Sequence, residues 1–144
     1  MDSFGSNLKT LLNENNVSIN TLQIYLQMSS NSSIYKWLRG QTGIRLDTAI
    51  KLADFFSCSL DFLMTGKEEN VKNSISCRYP PFGKQLKKVM DEKGVTQYQI
   101  AKDTNIKSGH LYQWLHTDRI PQMNSVIALA DYLKVSIDYL VGRE

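Results

Sequence analysis

Half-cystine frameworks, metal sites and membrane spans all have too little material here. There are two cysteines, Cys58 and Cys77, nineteen residues apart. They have no CxxC spacing, and the two histidines, His110 and His116, are six apart, so no zinc-type cluster of closely spaced Cys and His exists. Two such thiols suit a reducing compartment, and the expectation is a cytoplasmic protein. No apolar run approaches the ~20 residues that a membrane span needs. The polar start, Met1-Asp2-Ser3, does not read as a signal peptide. Proline is scarce, with three copies, and glycine has eight, which disfavours a fold made of many small strands and turns. No GxSxG, HExxH or phosphate-loop pattern is found, and the carboxylates fall at helix caps and on polar faces. The expectation is therefore no catalytic residue, no metal, no cofactor and no small-molecule substrate.

What is present is enough apolar material for packed cores, 42% of 144 residues, and a small positive charge of +3. The charge is uneven. Residues 1–72 hold seven Lys/Arg against seven Asp/Glu, and residues 73–144 hold ten against seven. A mild basic bias is compatible with nucleic acid but is shared by many solvated proteins.

The strongest organising signal is an internal repeat. Phe4-Gly5 returns as Phe82-Gly83, and Leu8, Lys9, Glu14 and Val17 return as Leu86, Lys87, Glu92 and Val95, all 78 residues on. Further along, the offset drops to 77: Tyr35-x-Trp37-Leu38 matches Tyr112-x-Trp114-Leu115, and Leu52-Ala53-Asp54 matches Leu129-Ala130-Asp131. Ser59, Asp61 and Leu63 likewise match Ser136, Asp138 and Leu140. The first copy thus holds one extra residue between Leu22 and Ile34. The expected organisation is a domain over 1–66, a linker over 67–80 that is polar at its start and ends at Pro80-Pro81, and a domain over 81–144.

Each copy reads as five short helices, and no segment alternates as a strand would. In the second copy Phe82, Leu86, Val89 and Met90 share one helical face, and Gly94 stops that helix. Thr96 caps the next, which Asn105 is expected to end in left-handed geometry. A third helix spans about 107–116, with Leu111, Trp114 and Leu115 inward. Pro121 is expected to open the fourth, and Ser136 to cap the fifth. In the first copy Ser18 or Asn20 starts helix two, helix three spans about 30–39, Asp47 is expected to cap helix four, and Ser59 caps helix five.

The second copy, through Thr96-Gln97-x-x-Ile100-Ala101, Asn105-Ile106-Lys107, Leu111, Ile120-Pro121 and Leu129-Ala130-x-x-Leu133-x-Val135-Ser136-x-Asp138-x-Leu140, resembles the helix-turn-helix domain of the phage repressor (Cro and C1) group. The resemblance covers about 82–142, and more loosely 4–66. It implies an all-α chain of two tandem five-helix, lambda-repressor-like domains. It also implies a sequence-specific regulator that places helix three in the major groove of double-stranded DNA. Ala101 is small, as a close crossing of helices two and three requires. The first copy departs here: it has Ile19 in place of Gln97, Gln23 or Ile24 in place of Ala101, and a longer turn around Met28-Ser29.

On that resemblance, Lys107, Ser108 and Gln113 are the candidate groove residues of the second copy, with His110 toward the groove wall and Tyr112, like Tyr35 in the first copy, either a phosphate contact or surface cover. Lysine can donate to guanine, and glutamine can bond adenine through both amide atoms. The first-copy counterparts are Ser30, Asn31, Ser32, Tyr35 and Lys36. Gln97 is a candidate phosphate ligand, and Arg39, Arg45, His116 and Arg119, which follow helix three, are candidate backbone contacts. The bland alternative for each set is an ordinary solvated face. For Trp37 and Trp114 the spacing favours core packing over base stacking.

The competing reading is a protein-interaction module in which one or both copies no longer bind DNA. The neutral first half and its missing glutamine favour that alternative for residues 1–66, and an antitoxin-like regulator lies between the two. A fourteen-residue linker spans at most ~46 Å. One chain could therefore reach two half-sites ~34 Å apart, and a homodimer with four such domains is also compatible.

Overall fold

The computed structural model describes residues 3–66 and 81–142. These fall into two compact units, one before and one after the stretch 67–80. The expected linker, with Cys77 and Pro80, lies outside the described residues. Among the described residues there is no strand, and no helix is long and apolar enough to cross a membrane.

The first unit contains α1 (Ser3–Glu14), α2 (Ile19–Tyr25), α3 (Ser32–Leu38), α4 (Leu46–Phe55) and α5 (Leu60–Thr65). The second contains α6 (Phe82–Lys93), α7 (Gln97–Asp103), α8 (Ser108–His116), α9 (Met123–Leu133) and α10 (Ile137–Val141). In each unit the first helix is the hub. α1 packs on α3 and α5, and α6 packs on α8, α9 and α10. The core of the second unit is built from Leu86, Val89, Ile100, Leu111, Trp114, Val126, Leu129 and Leu140, all buried. Their counterparts Leu8, Leu11, Leu22, Ile34, Trp37, Ala49, Leu52 and Leu63 are buried in the first. Both tryptophans are therefore core residues, 6% and 4% exposed, as their spacing indicates.

The Phe-Gly repeat has a packing explanation. Phe4 and Phe82 each set their ring 6.3 Å from the indole of Trp37 or Trp114. The glycine beside each lets two backbones meet. A Cβ at Gly5 would stand 2.7 Å from the Trp37 carbonyl oxygen, and one at Gly83 would stand 2.1 Å from that of Trp114. Helix one is thus pressed onto the end of helix three, and only glycine fits. A second repeated contact ties helix one to helix five. Asn7 Nδ2 donates to the carbonyls of Phe62 and Leu63 at 3.1 and 3.2 Å. At the corresponding place Gln85 Nε2 donates to the Tyr139 carbonyl at 2.8 Å. These side chains bond carbonyls near the ends of α5 and α10, where those of Phe62 and Tyr139 also accept the Gly66 and Gly142 N–H groups at 2.9 and 3.1 Å.

Caps set the helix starts. Ser18, Ser59 and Ser136 accept the N–H three residues on, and Thr96 forms a reciprocal capping box with Gln99. Three expectations are corrected. Asp47 is not the cap of α4. Arg45 holds that position, and Asp47 lies in the first turn, where its Oδ1 accepts the Thr48 N–H at 2.9 Å. Pro121 does not open α9, which starts at Met123 behind Gln122; Pro121 is buried two residues earlier. Asn105 does not end α7 in left-handed geometry. The helix exits through an extended Thr104, whose hydroxyl donates to the Ile100 carbonyl at 2.6 Å and accepts the Ile106 N–H at 3.1 Å. The hydroxyl does the work that a left-handed residue would have done, because it satisfies a terminal carbonyl and steers the chain into the turn. α8 ends the same way at Thr117, which bonds the Gln113 carbonyl and accepts the Arg119 N–H at 3.2 Å.

The first unit uses the other solution. α2 and α3 close through left-handed Gln27 (φ 58°) and Gly40 (φ 70°), with Met28 and Gln41 N–H groups reaching back to Gln23 and Lys36 carbonyls. α2 and α7 start 78 residues apart and end 78 residues apart, whereas Ile34, Tyr35 and Trp37 of α3 match Leu111, Tyr112 and Trp114 of α8 at 77. The extra residue therefore lies in the α2–α3 turn, and the counterpart of Ala101 is Gln23.

Candidate nucleic-acid interface

α7 and α8 are closely packed against each other. Half-buried Ala101 adds little bulk on α7, and Gln97, half-buried at its start, reaches across to α8. Its Nε2 donates to the Ser108 carbonyl at 3.2 Å and lies 3.4 Å from the Ser108 hydroxyl. Gln97 was expected to hold a phosphate with its amide; here that amide fixes the first residue of α8. Its position at the rim still leaves it beside any ligand of α8.

On α8, residues advance about 100° each. Leu111 and Trp114 are buried, so Gly109, Gln113 and His116 lie on the opposite side, with Tyr112 next to them. Tyr112 is 55% exposed and its ring centroid lies 4.4 Å from that of His116, the two planes tilted by 41°. His110 is exposed and its ring lies 6.1 Å from Trp114, toward the side of the helix. Lys107 is the exposed residue preceding α8, and Ser108 is its first residue. Gln113 is half-buried and accepts from Arg119 Nη1 at 2.6 Å. A Cβ at Gly109 would meet nothing within 4 Å, so no packing demand accounts for glycine there.

Beside this face an open cleft of about 670 Å³ is lined by Lys84, Lys87, Thr96, Gln97, Leu115 and His116, among others. Lys84 and Lys87 are exposed, and Lys87 also pairs with Asp91 at 3.2 Å. Sequence reasoning missed these two lysines, because α6 was read for its apolar stripe alone. The run Lys84-Gln85-Leu86-Lys87-Lys88 was the available signal.

The first unit brings its candidates together less well. Gln23 occupies the place of Ala101, its Nε2 bonded to the Met28 carbonyl at 3.3 Å. α2 and α3 are not among the closely packed helix pairs of that unit. The hydroxyls of Ser30 and Ser32 bond each other at 2.9 Å, and Asn31 precedes α3 without a capping bond. Tyr35, Lys36 and Arg39 are exposed on or just after α3. Arg45 is drawn into a forked pair with Asp47, at 3.1 and 2.8 Å. Such a pair would have to open before Arg45 could meet a phosphate.

A family model described as Helix-turn-helix matches residues 8–63 and again residues 86–140, well over half of the chain. The chain belongs to the Cro/C1-type helix-turn-helix family, in two tandem copies. In helix-turn-helix terms α2–α3 and α7–α8 are the two motifs, and α3 and α8 are the third helices named in the sequence reading. Among curated relatives, the HTH-type transcriptional regulator ImmR of Bacillus subtilis (strain 168) is 32% identical over 62 residues. That match covers 43% of this chain and 49% of the relative, so the two share about half the length of the curated protein. No solved structure matches.

Proposed function

We propose that this tandem helix-turn-helix chain is a sequence-specific DNA-binding regulator of transcription, with no enzymatic activity, that reads the major groove through α8. The observation that carries the reading is the α7–α8 geometry. Gln97 clamps Ser108, a Leu111/Trp114 stripe anchors the helix, and a polar face of Gly109, Gln113, His116 and Tyr112 is left outward. A helix presented this way fits the width of the major groove. Ser108 and His110 flank that face. Lys107 and the cleft lysines Lys84 and Lys87 surround it with cations suited to phosphates, which hold register without reading sequence. The name of the ImmR relative, a transcriptional regulator, supports the same class. The partner is double-stranded DNA, the compartment the cytoplasm, and the domain limits those of the repeat.

For the first unit the protein-interaction reading has a specific observation in its favour. Where the second unit has Lys102 and Asp103, the first has Ile24, 76% exposed, and Tyr25. Tyr25 packs 4.5 Å from Phe55, which in turn lies 4.9 Å from Phe56. Together with its loosened α2–α3 pair, this makes the first unit a mount for another protein surface, with DNA reading left to the second.

The test is selection from a random duplex pool with the full chain, followed by affinity measurements at several salt concentrations. The expected result is one enriched sequence, a steep loss of affinity with salt, and a slope reduced by about one on Lys107→Ala. Failure to enrich any sequence would sink the reading.

A further inference from the structure

We infer that Gln113 and Arg119 act as a single recognition unit and that this unit selects guanine, where a lone glutamine would select adenine. The inference rests on the DNA-binding reading above and concerns which base that face accepts.

The two residues are tied twice. Arg119 Nη1 donates to Gln113 Oε1 at 2.6 Å. The backbone between them is held by Thr117, whose hydroxyl donates to the Gln113 carbonyl and accepts the Arg119 N–H at 3.2 Å. Thr117 replaces the left-handed closure that the first unit uses at Gly40. It therefore brings the chain after α8 back along the helix, beside Gln113. Among the described residues no carboxylate lies within ion-pair distance of Arg119, so the amide oxygen is the partner that orients it.

That partnership changes what Gln113 can offer. Adenine presents an acceptor at N7 and a donor at N6, and a glutamine matches it by donating from Nε2 and accepting at Oε1. Here Oε1 already accepts from a cation. It keeps a second lone pair, but an adenine N6–H aimed at it would be brought up against the N–H groups of the guanidinium. What the pair still presents is donors only: two N–H on Gln113 Nε2 and the remaining N–H groups of Arg119. Guanine presents acceptors only at this edge, N7 and O6. The expectation that Gln113 would bond adenine, drawn from residue type, is thereby replaced. Position supports the choice, because Gln113 lies opposite the buried Leu111 and about one turn after Gly109, where no side chain blocks approach.

The experiment compares base preference by duplex selection for the full-length wild type, Arg119→Ala and Gln113→Glu, with the thermal midpoint of each measured alongside. Wild type should select guanine at the position this pair covers. Arg119→Ala frees Oε1 and should shift the guanine-to-adenine ratio there toward adenine by about tenfold, leaving other positions unchanged. Gln113→Glu keeps an acceptor for Arg119 but removes both Nε2 donors, and should weaken binding to the selected site by about tenfold without lowering the melting midpoint. A wild-type preference for adenine at that position overturns the inference. So does an Arg119→Ala variant that loses affinity equally for all sequences, since that marks a phosphate contact. Those results leave DNA binding standing; enrichment of no duplex by the wild type would bring down the DNA reading and this inference with it.

Discussion

Replacing Gly83 with alanine adds one methyl group to the second unit, and the structure says where it goes. The new Cβ would stand 2.1 Å from the Trp114 carbonyl oxygen, and both partners are backbone, so neither can rotate away. Ordinary contact needs more than 3 Å, so α6 and α8 must part by about 1 Å along the face that holds Leu86 and Leu111. Overpacking of this kind costs about 1–3 kcal/mol, and alanine's better helix propensity returns at most ~1 kcal/mol. The net loss is then ~1–2 kcal/mol, which in a domain of this size lowers the thermal midpoint by roughly 5–15 °C. There are two tryptophans in the chain, one per unit, so a Trp37→Phe background makes fluorescence report on Trp114 alone. The melt should be read in that background, with Gly5→Ala, monitored through Trp37 in a Trp114→Phe chain, as the milder partner because its clash is 2.7 Å. An unchanged or raised midpoint for Gly83→Ala would refute the account of the Phe-Gly repeat as a backbone crossing.

Gly109→Ala should behave in the opposite way: with open space around the new methyl, the unit should gain up to ~1 kcal/mol and melt higher, yet bind the selected duplex less tightly. A lower midpoint, seen by circular dichroism, would show that the site is not open. Trp114→Ala should cost ~3–5 kcal/mol, enough to unfold a unit this small, and loss of DNA affinity with a normal melt would place the ring at the interface instead. Tyr132 should ionise later than an ordinary tyrosine. Its hydroxyl donates to Asp103 at 2.6 Å, and that bond, helped by slight desolvation and by the carboxylate's charge, raises its pKa. The folded state then favours the protonated phenol. Its contribution is whole below the ordinary tyrosine pKa and is lost as pH rises through the folded-state value. In an ultraviolet titration Asp103→Asn should move the Tyr132 component to lower pH; a titration that Asp103→Asn leaves unchanged would contradict the bond.

The elements were legible because each copy carries its own punctuation. Ser59 and Ser136 cap, Gly94 stops, and Leu111 with Trp114 marks an inward stripe, so five helices and a buried tryptophan in each unit, among the described residues, follow from spacing alone. The misreadings all concern which of several adequate residues takes a local task. Asn105 tolerates left-handed geometry, but Thr104 next to it has a hydroxyl that bonds the preceding turn first. Asp47 is a good cap by type, yet Arg45 stands at the cap position and Asp47 lies two residues later, inside the first turn. For the candidate site, residue types placed Gln97, Ser108, Gln113 and Arg119 near one another but did not join them. Such hydrogen bonds depend on the exact turn that brings the partners together, set by Thr104 before α8 and by Thr117 after it. Gly5 and Gly83 had no signature beyond repetition, because a missing side chain reports a neighbour that only the fold supplies.

The amide of Asn7 bonds carbonyls 55 and 56 residues further on, and that of Gln85 bonds one 54 further on. Each unit is thus sewn shut between its first and last helices, which bears on how it can be made. As the chain leaves a ribosome, α1 emerges with Leu8, Leu11 and Leu12 along one face and has no α5 to lie against. At ~5–20 residues per second that face waits roughly 3–11 s for its seam partner. The first unit can close while the second is still being synthesised. Its core then leaves the pool of sticky surfaces before the matching stripe of α6, Leu86, Val89 and Met90, is exposed to pair with it. Two near-copies in one chain invite exchange of equivalent helices, and vectorial synthesis separates their closures in time.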